Sequence, residues 1–190
     1  MDGLRDMLGF VDLQKLQGGI AIAGLIAFVL AESIVPAQRA SLSVRLRSGA
    51  RNLAIYAIGV VLTSAVIGTF YYVGAAFLAV NRVGLLYALP LPWWLQVVIA
   101  FLALDFTDYL FHRVSHEKRW LWVMHAVHHS DPRLDVTTHF RAHPVHLVLG
   151  VGWRIIAIAA VGIPFWLVLM RDAWATLLAQ WQHANVRVPP

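Results

Sequence analysis

Apolar residues run in long blocks along this chain, separated by short polar stretches that gather arginine and histidine. Crossing the hydrocarbon of a bilayer takes about 20 helical residues. Three blocks that approach or exceed that length precede residue 112: roughly 19–35, closed by Pro36; about 53–80; and about 95–111, entered through Trp93 and Trp94 at the depth that indole rings prefer. The block 53–80 is longer than a span requires, which implies tilt or extension beyond the bilayer. Its Gly59, Thr63, Gly68 and Gly74 are small residues that let another helix approach closely. Residues 1–17 place Leu4, Met7, Leu8 and Val11 at helical spacing with charges between, the pattern of a short interfacial helix, though a frayed terminus reads the same way. The segment 112–144 is polar. An apolar stretch, 145–184, follows and is interrupted at Gly162-Ile163-Pro164, where proline cannot continue a helix, so one helix leaves the membrane face and another returns to it. No stretch alternates with period two, which excludes a transmembrane barrel. The expectation is an all-α polytopic membrane helix bundle in one domain, 1–190, with about four to five membrane helices and a histidine-rich cap over 112–144.

Composition sharpens this picture. Of 190 residues, 59% are hydrophobic and 13% charged, too little polar surface for a soluble domain of this size. With no cysteine, disulfides, iron–sulfur clusters and thiolate metal sites are excluded, and any metal must be held by nitrogen or oxygen. The net charge of +5 points to membrane orientation rather than to nucleic acid, because the arginines concentrate in 36–51 and 112–144. Three spans put those two loops on the same side, and the positive-inside rule makes that side cytoplasmic, in a bacterial inner membrane or an ER-type membrane. Asp2, Asp6 and Asp12 at the N-terminus do not fit a cleavable signal peptide.

The nine histidines carry the chemistry. Asp105, Asp108, His112 and His116 project within about a quarter-turn of one another on a helix. His125, His128 and His129, in the run His125-Ala-Val-His128-His129, share a second helical face. Imidazole suits iron, zinc, copper and nickel. A ligating imidazole usually donates its other N–H to a carboxylate or carbonyl, and Asp105 and Asp108 are placed for that supporting role, or else to pair with Arg113 or other arginines. Ser130, Asp131 and Asp135 could support the second group in the same way. A lone histidine near an interface is usually only an amphipathic side chain, and His139 and His146 read that way. His143, in Arg141-Ala-His143-Pro144, is a further candidate because the chain turns back toward the membrane there.

At these residues the sequence resembles the fatty acid hydroxylase / sterol desaturase superfamily of membrane histidine-box di-iron proteins. The likeness lies in Asp105-Phe-Thr-Asp108-Tyr109-Leu-Phe-His112-Arg113-Val-Ser-His116, Leu121-Trp122-Val-Met-His125-Ala-Val-His128-His129-Ser130, Thr137-Thr138-His139-Phe140-Arg141-Ala142-His143-Pro144 and Gln182-His183-Ala184-Asn185, over about residues 90–188. The resemblance implies that His112 and His116 form a first box, His125, His128 and His129 a second, and that His183 opens a third. It implies two irons, O2 as co-substrate, a membrane lipid substrate for hydroxylation or desaturation, and a separate redox protein as electron donor. The family's last His-x-x-His-His lies beyond Pro190, so the chain reads as truncated before it, either as a fragment or as a shortened relative. From that departure comes the alternative of a non-catalytic membrane subunit or assembly partner, possessing the fold within a larger complex. A zinc hydrolase is the weakest rival, since His116-Glu117 lacks the continuation that such a site uses.

Overall fold

The computed structural model describes the backbone of residues 2–188, and the side chains of all of these except 2–11 and 69. Leu4, Met7, Leu8 and Val11, the expected interfacial helix face, therefore lie outside the described side chains. The backbone forms one helix, α1, over Asp2–Ile34. Pro36 follows it, and α2 spans Leu42–Val66, so helix begins within the arginine-rich stretch. The apolar block continues through a wider π-helical segment, Ile67–Val73, into α3, Gly74–Val80. The short α4, Leu85–Ala88, and α5, Trp93–Glu117, come next. The histidine-rich segment holds α6, Arg119–His129, and a 3-10 turn at Val136–Phe140. Asp135 caps that turn by accepting from the Thr137 N–H at 2.8 Å. The helix α7 covers Pro144–Val161, with Pro144 in its first turn, and α8 covers Phe165–His183.

Among the described residues there is no strand, only an isolated antiparallel bridge between Pro36 and Val186. Five helical stretches are long and apolar enough to cross a membrane: Asp12–Ile34, Leu42–Val66, Phe70–Ala88, Trp93–Glu117 and Pro144–Val161. Their large apolar side chains are mostly exposed, as lipid-facing residues must be; Val61 is 78% exposed and Val80 82%. The helix α8, which carries Arg171 and Asp172, is not one of the five. The protein is thus an all-α polytopic membrane helix bundle.

The chain forms two compact units. The first takes in the residues up to Ala57, His128–Arg141 and the residues from Asp172 on; the second takes in Ile58–Val127 and Ala142–Arg171. In the first unit the Glu32 carboxylate is buried and accepts from the Val136 N–H at 2.7 Å and the Asn185 N–H at 2.8 Å, which ties α1 to the 3-10 turn and to the segment after α8. The core of the second unit is Tyr71, Ala75, Ala100, Leu104, Ile158, Ile163, Leu167 and Val168, drawn from the π segment, α3, α5, α7, the α7–α8 turn and α8. Gly59 and Gly74 lie where an added Cβ would meet Leu147 and Ile155 of α7 at 3.7 and 3.5 Å, whereas Gly68 faces open space.

Two glycines of the second unit fix how the chain enters α4 and leaves α7. Gly84 has φ 117° and Gly162, in the left-handed cap of α7, has φ 79°. A Cβ on Gly84 would overlap the backbone of Gly162, and one on Gly162 would lie 2.9 Å from the Gly84 carbonyl carbon. Both conformation and space therefore exclude a side chain. Gly84→Ala is expected to cost about 2 kcal/mol or more in stability, read as a lowered thermal midpoint of the detergent-purified protein. A midpoint equal to wild type would refute the close approach.

Candidate metal centre

Each unit gathers its own group of imidazoles. In the second unit, His112 and His116 stand one turn apart on α5, with their Nε2 atoms 3.2 Å apart. His125 comes from α6, is buried, and has ring centroids 4.7 Å from His112 and 4.8 Å from His116. Each of the three offers a ring nitrogen, and these nitrogens lie within 4.8 Å of one another. His129 follows His125 by one turn on the same helix.

His146 belongs beside this trio. Ser115 Oγ donates to the Phe111 carbonyl at 2.7 Å, the usual i−4 bond of a helical serine. Its one proton is thereby used, so it accepts from the His146 Nε2–H at 3.0 Å. That fixes the neutral His146 tautomer with its lone pair on Nδ1. The His146 ring packs 4.8 Å from His125, at 31° to it.

In the first unit the pair is His128 and His183, from α6 and α8. His183 Nδ1 donates to the Ala179 carbonyl at 2.6 Å, and His128 Nδ1 donates to the Arg141 carbonyl at 3.2 Å. Each backbone carbonyl fixes the tautomer that leaves the lone pair on Nε2. Those two Nε2 atoms face each other at 2.9 Å. With both rings neutral no proton lies between them, so the arrangement calls for a cation, either a metal or a proton. His139 lies 6.2 Å from His183 by ring centroid. Burial, with the His183 charge as the smaller cause, pushes its pKa down to about 4, so it is neutral at pH 7.

A buried polar network holds the Arg141 carbonyl in place. Asn52, fully buried in α2, accepts from Arg141 Nη1 at 2.9 Å and donates to Asp131 Oδ2 and Thr137 Oγ1, each at 2.8 Å. Arg141 Nη2 donates to Ser130 Oγ, and Thr138 Oγ1 donates to Asp131 at 2.9 Å. Ser130 and Asp131 thus act on the backbone that carries the His128 partner.

The two carboxylates on α5 engage arginines. Asp108 accepts from Arg154 Nε and Nη2, both at 2.6 Å, and is also paired with Arg171. Asp105 accepts from Arg171 Nη2 at 3.1 Å. His143 caps α7, with its Nδ1 accepting from the Val145 N–H at 3.2 Å, so its lone pair is engaged with the backbone. The sequence reading took His146 for an amphipathic interface side chain and did not single out Asn52, Arg154 or Arg171. Arg154 alone carried a usable signal, as a lone charge inside an apolar helix.

The donor set fits a divalent first-row metal, iron among them. Neutral imidazoles suit divalent first-row metals, and metal–nitrogen bonds of about 2.1 Å put adjacent ligands about 3 Å apart. The Nε2 separations of 2.9 and 3.2 Å have that spacing.

The fatty acid hydroxylase family model matches residues 97–190, which include every histidine above. The chain is similar to the ornithine lipid hydroxylase OlsE of Rhizobium tropici, at 32% identity over 50% of this chain and 29% of that protein. It is also similar to alkylglycerol monooxygenases: that of Xenopus tropicalis at 42% identity over 27% of this chain and 11% of the relative, and that of Homo sapiens at 31% over 50% and 20%. The matched stretches thus cover less than a third of the length of these curated relatives. No solved structure gives a match. Through its second half, this chain belongs to the fatty acid hydroxylase family.

Proposed function

We propose that the chain carries the metal centre of an iron- and O2-dependent membrane lipid hydroxylase, with His112, His116, His125, His128, His129 and His183 as ligands. The observation that carries this reading is the His128–His183 pair, in which two carbonyl-anchored imidazoles direct their Nε2 atoms at one another across 2.9 Å. The trio His112, His116 and His125 supports a second metal position. The named activities of the relatives, on ornithine lipid and on alkylglycerol, support a long-chain polar lipid as the substrate class.

Bound iron would activate O2 for oxygenation of an unactivated C–H bond. The chain's own residues bind and orient. Ala179 and Arg141 carbonyls hold the imidazole tautomers. Apolar, lipid-exposed helices bring the acyl chain to the cluster and keep water from it. The cluster faces the cytoplasm, where a separate redox protein delivers electrons.

The test is metal analysis and product analysis on the same preparation. After growth in iron-replete medium, the purified chain should hold about one iron or more. With membrane lipid, a reducing partner and isotopically labelled O2, labelled oxygen should enter the lipid. Loss of two hydrogens without incorporated oxygen would identify a desaturase instead. A chain that stays iron-free under these conditions would overturn the proposal.

A further inference from the structure

The loop between α1 and α2 forms one wall of a cavity of about 300 Å³ in the first unit, lined by Glu32, Ser33, Ile34, Gln38, Arg39 and Arg45 among others. We propose that this cavity binds the phosphate-bearing headgroup of an anionic membrane phospholipid.

The charge balance is positive. Glu32 is the only acid in the lining, and it is turned inward: both Val136 and Asn185 donate their N–H groups to it, and its side chain is 5% exposed. Arg45 uses Nη2 on Ser33 Oγ at 3.0 Å and stands 3.9 Å from the Glu32 carboxylate, and its other N–H groups make no hydrogen bond among the described residues. Arg39 makes no hydrogen bond or ion pair among the described residues. A planar guanidinium with free N–H groups is matched to phosphate oxygens.

The wall is also built rather than loose. The Asn185 side chain donates to the Gln38 carbonyl at 2.8 Å and accepts from the Gln38 N–H at 2.9 Å. Ala37 N–H donates to Asn185 O at 3.0 Å, and Arg187 N–H to Val35 O at 2.9 Å. Four hydrogen bonds thus pin the loop to the segment after α8, so few degrees of freedom are lost on binding.

Two observations favour a lipid over free phosphate. The loop joins the candidate spans Asp12–Ile34 and Leu42–Val66, so it lies at headgroup depth. Apolar side chains flank the arginines and stay exposed: Ile34 at 78%, Leu42 at 69% and Leu46 at 64%. A charged head with acyl tails meets both surfaces at once.

The experiment uses the purified full chain in neutral detergent, titrated with short-chain phosphatidylglycerol, the matching phosphatidylcholine, and inorganic phosphate, and read by tryptophan fluorescence. Phosphatidylglycerol should bind about tenfold tighter than phosphatidylcholine. Arg39→Gln should weaken it about fivefold, and Arg39→Gln with Arg45→Gln about 25-fold. Arg47→Gln and Arg51→Gln, on α2 outside the cavity, should change it less than about twofold. Arg39→Gln removes no internal contact, so it carries the test even if the double variant does not fold. Equal affinity for the two lipids, or equal losses at Arg47 and Arg39, would overturn the site. Saturation by inorganic phosphate at the same concentrations would overturn the lipid assignment.

Discussion

Replacing His128 with alanine is expected to weaken metal binding in the first unit by about 100-fold or more. The change removes one of two converging Nε2 donors and leaves His183 opposite a void. A ligand contributes more than an outer-shell partner, whose loss typically costs about 10–100-fold in metal affinity. Equilibrium competition against a chelator of known affinity, with total metal per chain, measures it. Asn52→Leu supplies the graded comparison. It leaves every imidazole in place but removes the Asn52 hydrogen bond to the Arg141 side chain, whose backbone carbonyl holds His128. An intermediate loss there, about 10-fold, is expected. His128→Ala protein that held metal with wild-type affinity would remove the proposed centre.

The largest effect on stability is expected from Asp108→Leu. Asp108 accepts two hydrogen bonds from Arg154 and is paired with Arg171, whose side chain is only 4% exposed. Removing the carboxylate takes the bidentate partner from Arg154 and takes from Arg171 the better buried of its two carboxylates, since the Asp105 side chain is 75% exposed. Breaking a buried pair from one side costs about 3–5 kcal/mol, because a desolvated charge remains. Partial exposure of Arg154 places the expectation near 3 kcal/mol, seen as a lower unfolding midpoint in detergent. Arg171→Met alone should also destabilise. Asp108→Leu combined with Arg154→Met and Arg171→Met should recover part of the loss, since it removes the stranded charges together. A single variant as stable as wild type would show that the arginines are solvated and the network is not a lock between α5, α7 and α8.

The same network shows where sequence reading stops. Asp105 and Asp108 stand on the His112 side of α5 by helical arithmetic, which left open support for that imidazole or pairing with arginines. The carboxylates engage Arg154 and Arg171, 46 and 63 residues from Asp108. Nothing in the local pattern ranks a histidine one turn away against a guanidinium from another helix. Electrostatics ranks them once the helices pack, because a guanidinium carries a full charge and a bidentate fork. His146 is a parallel case. Alone at an interface it carried no signal, and its importance comes from Ser115, 31 residues earlier, which sets its tautomer beside His125.

Local chemistry, by contrast, was readable. Long apolar blocks with few charges demand helices that satisfy their own backbone, and that alone fixed an all-α membrane bundle. The i, i+4 interval brought His112 and His116 together because α-helical geometry places residues four apart on one face. Gly162 and Pro164 marked a helix end because one accepts a left-handed backbone and the other cannot continue a helix. The meeting of His128 with His183 across 55 residues, the Asn52–Arg141 support beneath it and the pinning of the α1–α2 loop by Asn185 were decided only by tertiary structure. Spacing along one helix is set by covalent geometry, whereas pairing between segments is set by which packing buries the most apolar surface while leaving no polar group unmatched.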